Sequence, residues 1–106
     1  MDTATVVAAP TSVEEANQRI GSMLFRLRER AGFSQAQVDT YSGGTIGQAW
    51  LSRVENGLLA VTIDTAVALA LIYNVEPSAL LGEIADTYAL LPIPVLLQDR
   101  LARKAA

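Results

Sequence analysis

The sequence predicts an all-α protein, and three features predict it. Apolar residues recur at helical spacing, and glycine and proline cluster at the ends of those runs. Only six of the 106 residues are aromatic, which favours a small helical domain over a β-sandwich rich in aromatic strands. Hydrophobic residues make up 51% of the chain, too many for a disordered polymer, and the length suits one domain with one core.

The first twelve residues are small and polar, with Pro10 near their end. They lack a basic start and a long apolar run, so they do not resemble a signal peptide, and a flexible tail is expected over 1–12. Ser12-Val13-Glu14-Glu15 then fits a capping box that opens a helix. Ala16, Ile20, Leu24, Leu27 and Ala31 lie on one helical stripe. Arg19, Arg26 and Arg30 fall largely away from it, as a solvated face or as phosphate anchors. Gly32 supplies a left-handed stop.

Ser34-Gln35-Ala36-Gln37 is a second capping box, and Phe33 before it can staple onto Val38. This second helix is expected to run to about Ser42. Gly43 and Gly44 end it, since glycine takes up left-handed backbone without a Cβ clash. A third helix carries Trp50, Leu51 and Val54 at helical spacing and stops at Asn56-Gly57. Its start has two readings. Thr45-Ile46-Gly47-Gln48 fits a capping box, with Gln48 folded back onto the Thr45 amide; alternatively Gly47 is the cap and Gln48 is free. The first is preferred, because threonine is the better side-chain cap.

Thr62 is the expected cap of a fourth helix, Ile63 to Tyr73, apolar on most sides and therefore expected in the middle of the bundle. It is too short to cross a bilayer. Asn74 suits a left-handed stop. Pro77 fits the first turn of a short fifth helix, Ser78 to Leu81, ending at Gly82. Two further segments follow over 83–106. Ile84 to Leu91 is one, and Val95 to Lys104 is the other, separated by Pro92 and Pro94. Their apolar surface either packs back on the domain or forms an interface between subunits.

The central stretch resembles a known family. Leu27-Arg28-Glu29-Arg30-Ala31-Gly32-Phe33-Ser34-Gln35-Ala36-Gln37-Val38 and Leu51-Ser52-Arg53-Val54-Glu55-Asn56-Gly57 look like the phage-repressor, Cro-like or xenobiotic-response-element helix-turn-helix family. Thr62-Ile63-Asp64-Thr65, Leu69-Ala70, Tyr73-Asn74-Val75 and Leu80-Leu81 follow in the family's order. The resemblance covers roughly residues 13–82. It implies a lambda-repressor-like five-helix DNA-binding domain, here with a helical C-terminal extension over 83–106 that is a possible dimerisation segment.

Carried over residue by residue, the resemblance makes Gln35 a phosphate contact at the start of the first helix of the motif. Gln48 and Ala49 become the first outward residues of the recognition helix, with Ser52 and Arg53 also outward. Asn56 and the backbone near Gly57 match the second phosphate clamp. Trp50 either packs or offers its indole N–H to the DNA backbone. Glutamine can pair with adenine, arginine can fork onto guanine and alanine can touch a thymine methyl. Leu51 and Val54 match buried positions. Arg53 and Glu55, two apart, do not face each other on a helix, so Arg53 is the strongest candidate reader.

This chain departs from the family in two ways. The spacing from Ser34 to Leu51 is two residues longer than usual, and Ser42 to Thr45 is expected to absorb the excess. Asp39 stands where the family usually has alanine. An unpaired buried carboxylate is costly, so Asp39 is expected to accept from amides at the start of the recognition helix.

Charge and composition bound the chemistry. The net charge is −3, which by itself argues against phosphate binding. The distribution softens this. Residues 19–57 carry Arg19, Arg26, Arg28, Arg30 and Arg53 against Glu29, Asp39 and Glu55, an excess of two positive charges over the candidate DNA face. The chain has no cysteine and no histidine. That removes disulfides, thiolate metal sites, cysteine nucleophiles and histidine acid–base chemistry, and it suits a reducing cytoplasm. Glu14 and Glu15 are adjacent and point about 100° apart on a helix, and no phosphate-binding glycine motif follows Gly43-Gly44. No enzyme, cofactor or metal is expected. The expected function is a dimeric, sequence-specific transcription regulator, a repressor, acting on a pseudo-palindromic duplex. The alternative is a protein-interaction module, such as an antitoxin or a partner of another regulator.

Overall fold

The structure, a computed structural model, describes residues 8–98. Its six elements are all helices: α1 (Val13–Ala31), α2 (Gln35–Tyr41), α3 (Gln48–Glu55), α4 (Ile63–Ile72), α5 (Pro77–Ala89) and α6 (Ile93–Leu96). α1 packs on α3 and α5, α2 packs on α3, and α4 packs on α5. Leu24, Val38, Leu51, Val54 and Leu69 are fully buried where these helices meet.

Most boundaries follow the local chemistry read above. Ser34 and Gln37 form the full reciprocal capping box at α2, with bonds of 3.0 and 2.7 Å. At α1 the box is shifted by one residue. Ser12 Oγ accepts from the Glu15 amide, but the Glu15 carboxylate accepts from the amide and hydroxyl of Thr11 rather than from Ser12. Gly32 (φ 84°) and Asn74 (φ 58°) are the left-handed stops after α1 and α4. Of the tail expected over 1–12, residues 1–7 lie outside the described residues.

Four expectations are corrected. The apolar stripe of α1 ends on Arg28, which is buried, while Ala31 is exposed. Thr62 makes no side-chain cap; its hydroxyl donates to Asp64, and that carboxylate accepts from the Thr65 amide. α4 is not buried all round: Ile63 and Leu71 are 73% and 67% exposed. Finally, α5 does not stop at Gly82 but continues to Ala89. Leu80 and Ile84 are buried and Tyr88 is packed on the core, one continuous i, i+4, i+8 stripe. Glycine in a helix interior costs about 1 kcal/mol, whereas each fully buried large apolar side chain contributes about 1.5–3 kcal/mol. Packing therefore carries the helix through Gly82, and the expected division at residue 82 falls inside one element.

The C-terminal extension packs in part on its own domain. Leu91 is buried, and the Tyr88 hydroxyl donates to Asn17 Oδ1 on α1. Leu90 and Ile93 remain exposed. α6 starts at Ile93 rather than Val95, because Pro94 lies in a first turn, where a missing N–H goes unused. Residues 99–104 of the helix expected there lie outside the described residues.

Candidate nucleic-acid interface

The site is built on α3, and α3 begins at an unusual place. Its N-cap is Gly47, which has no side chain to offer, so the preferred reading with Thr45 as cap is not the one realised. The Thr45 hydroxyl instead donates to the Ser42 carbonyl. The cap comes from the preceding helix: Asp39 Oδ2 accepts from the Gln48 amide at 2.9 Å, as the sequence led us to expect. The Gln48 side chain is thereby released, and it is exposed. Gly43 and Gly44, at φ 67° and 81°, form the turn, and the Ser42 hydroxyl accepts from the Ile46 amide.

The other end of α3 is held from inside. Glu55 is buried and takes a two-pronged ion pair from Arg28 of α1, Nε at 2.7 Å and Nη2 at 2.9 Å. Arg28 Nη1 also donates to the Phe33 carbonyl, tying the α1–α2 turn to the pair. The Glu55 hydrogen bonds hold the Arg28 guanidinium above its usual pKa. Burial, and then the Glu55 charge, push the neighbouring Tyr73 phenol up. Helix α1 can come this close because Gly21 faces α3: a Cβ there would stand 2.4 Å from the Val54 carbonyl oxygen. Gly57 (φ 77°) does the same against Gln18.

Two helices of this length, joined by a glycine turn and packed on each other, present one face of the second helix to solvent. The helix-turn-helix family model matches residues 24–80, which spans the whole of this arrangement. The chain belongs to the helix-turn-helix family. Its resemblance to the xenobiotic-response-element type is thereby borne out, and so is the all-α, lambda-repressor-like fold. It is a DNA-binding regulator of that type. No curated protein and no solved structure matches the chain. No helix among the described residues is long and apolar enough to cross a membrane.

Within this helix-turn-helix, five of the seven expected contact residues line one shallow cleft between α2 and α3: Gln35, Gln48, Ala49, Trp50 and Ser52, together with Asp39 and Gly47. Gln48 and Ala49 are exposed at its mouth, and Trp50 is half-buried against the core. Arg53 is exposed outside the cleft and has no ion-pair partner among the described residues. Asn56 is exposed, and its Nδ2 donates back to the Ser52 carbonyl at 2.8 Å. The backbone at Gly57 is already committed. Its amide donates to Val54 and that of Leu58 to Arg53.

Two features escaped the sequence reading. Gln35 Nε2 donates to Glu55 Oε1 at 2.9 Å, so one of its two amide hydrogens is used inside the protein. And Arg28 is structural, which leaves Arg26 and Arg30 as the exposed cations of α1, while Arg19 donates to the Ala8 carbonyl. A signal for the ion pair was present. Arg28 stands four residues after Leu24 and Glu55 four after Leu51, each on the buried face of its helix.

Proposed function

We propose that this helix-turn-helix protein is a dimeric, sequence-specific repressor of transcription, reading the major groove with α3. One observation carries the reading. α3 turns Leu51, Val54 and Glu55 inward and leaves Gln48, Ala49 and Arg53 exposed, with the Arg53 guanidinium unpaired among the described residues. A long cation held on a rigid helix without a partner suits bidentate recognition of guanine. Gln48 then meets adenine and Ala49 a thymine methyl. Gln35 donates its second amide hydrogen to phosphate, and the Trp50 indole, Ser52 and Asn56 complete the backbone contacts. Exposed Arg26 and Arg30 on α1 add attraction without sequence content.

Two copies set their recognition helices about one DNA turn apart, ~34 Å, on a pseudo-palindromic operator. Exposed Leu90 and Ile93 support a subunit interface in the C-terminal segment. The protein works in the cytoplasm, without cofactor or metal, and is not an enzyme. The second reading, a protein-interaction module such as an antitoxin, is favoured by further exposed apolar side chains, Leu58, Ile63 and Leu71.

Selection from a random-sequence duplex pool by the full chain, at low and then rising salt, tests the proposal. Light scattering gives the mass. The expected result is a palindromic motif, a dimer, and affinity that falls as salt rises. A folded protein that enriches nothing at any salt would transfer the weight to a protein partner.

A further inference from the structure

Asp39, near the end of α2, ties the long turn to both helices, and Ser42 holds the turn beside it. The Asp39 carbonyl accepts from the Gly44 amide at 2.8 Å and from the Ser42 hydroxyl at 3.0 Å, while its carboxylate accepts from the Gln48 amide. The cap residue Gly47 contributes no side-chain hydrogen bond. The side chain that caps α3 is therefore lent by α2. Buried Leu51, Val54 and Glu55 set the rotation of α3 about its axis, so the Asp39 bond bears on how firmly the first turn, with Gln48 and Ala49, is formed.

Resting on the DNA-reading proposal above, we infer that Asp39 is a positioning residue for base recognition. It keeps the first turn of α3 formed, so that Gln48 and Ala49 are presented in place, without touching a base itself. The same carboxylate adds a negative charge to the cleft it shares with Gln35, Gln48 and Trp50, where it opposes phosphate. Its hydrogen bond and its charge thus act in opposite directions on DNA. The bond sharpens sequence preference, and the charge lowers affinity.

The two can be separated by substitution. Asp39→Asn keeps an acceptor oxygen for the Gln48 amide and removes the charge; Asp39→Ala removes both. The first measurement is amide hydrogen exchange at Gln48 in the three proteins. Exchange is expected to quicken about tenfold in Asp39→Ala and to stay near wild type in Asp39→Asn. The second is binding to the duplex that wild type selects from a random pool, and to its single-base variants. Asp39→Asn is expected to bind at least as tightly as wild type with the same preferences. Asp39→Ala is expected to lose discrimination at the bases nearest the start of α3, while preference at the Arg53 position persists. An Asp39→Ala protein with unchanged Gln48 exchange or unchanged base preference would overturn this inference alone. A wild-type protein that enriches no duplex would overturn it together with the DNA-reading proposal.

Discussion

The two ends of α3 are held by different physics. At its C-terminal end, Glu55 is buried in an ion pair with Arg28, and Gly21 lets α1 press against the last carbonyls of the helix. At its N-terminal end, a half-exposed carboxylate on α2 and a turn of two left-handed glycines do the holding. The first arrangement excludes water and tolerates little change. The second is a solvated hydrogen bond, strong enough to order a first turn and weak enough to be altered. In the proposed reading Gln48 and Ala49 meet bases at the second end, while Arg53 and Gln35 stand beside the rigid anchor.

The sharpest way to break this contrast is at the buried end. Glu55→Ala strands the Arg28 guanidinium and is expected to cost about 3–5 kcal/mol in urea unfolding, a large share of a small domain's stability. Gly21→Ala comes next. Alanine is the better helix former by about 1 kcal/mol, yet its Cβ meets a backbone oxygen that cannot rotate away. A net loss of about 1–3 kcal/mol is expected, read as a lower melting temperature. At the open end, Asp39→Ala is expected to cost only about 1 kcal/mol, the worth of an N-cap. Equal or greater stability in that variant would show that the carboxylate is strained rather than capping.

The smallest effect concerns acid. Hydrogen bonds from Thr11 hold Glu15 below its usual pKa, those from Thr62 and Thr65 do so for Asp64, and those from Ser78 for Glu76. Their folded values lie below their unfolded ones, so the stability they add is complete above the ordinary carboxylate range. It is lost as pH falls from about 4.5 through the lowered folded values. All three are fully exposed carboxylates at the starts of α1, α4 and α5, so a shallow decline in melting temperature below pH 4.5 is expected. A steep collapse there would place the acid-sensitive group in the interior instead.

Much of this architecture was legible in the sequence because it is local. The Ser34 box, the Gly32 and Asn74 stops and the Pro77 start each depend on a few neighbouring residues, and the structure contains them all. What was hidden depends on contacts between helices. Gly82 reads as a stop until the stripe Leu80–Ile84–Tyr88 is seen to pack across it. Thr45 reads as a better cap than Gly47 when neighbours alone are weighed, although Asp39 was already expected to accept from the start of α3, and it is Asp39 that caps. Arg28 reads as one of several surface cations until Glu55 meets it. The candidate site follows the same division. The outward placing of Gln48, Ala49 and Arg53 is what the family resemblance implies, whereas the commitment of Gln35 to Glu55 required the fold.

In the proposed reading the exposed face of α3 reads DNA while its buried face only holds it. Arg53→Ala tests this most directly, since Arg53 is exposed and lies on that outward face. The decisive measurement is the affinity of wild type and Arg53→Ala for the selected duplex and for its variants at the guanine expected opposite Arg53, with melting temperature recorded alongside. An unchanged melting temperature and a loss of about 1–3 kcal/mol of discrimination confined to that base pair are expected. Unchanged discrimination at every position, in a variant that melts like wild type, would contradict that reading.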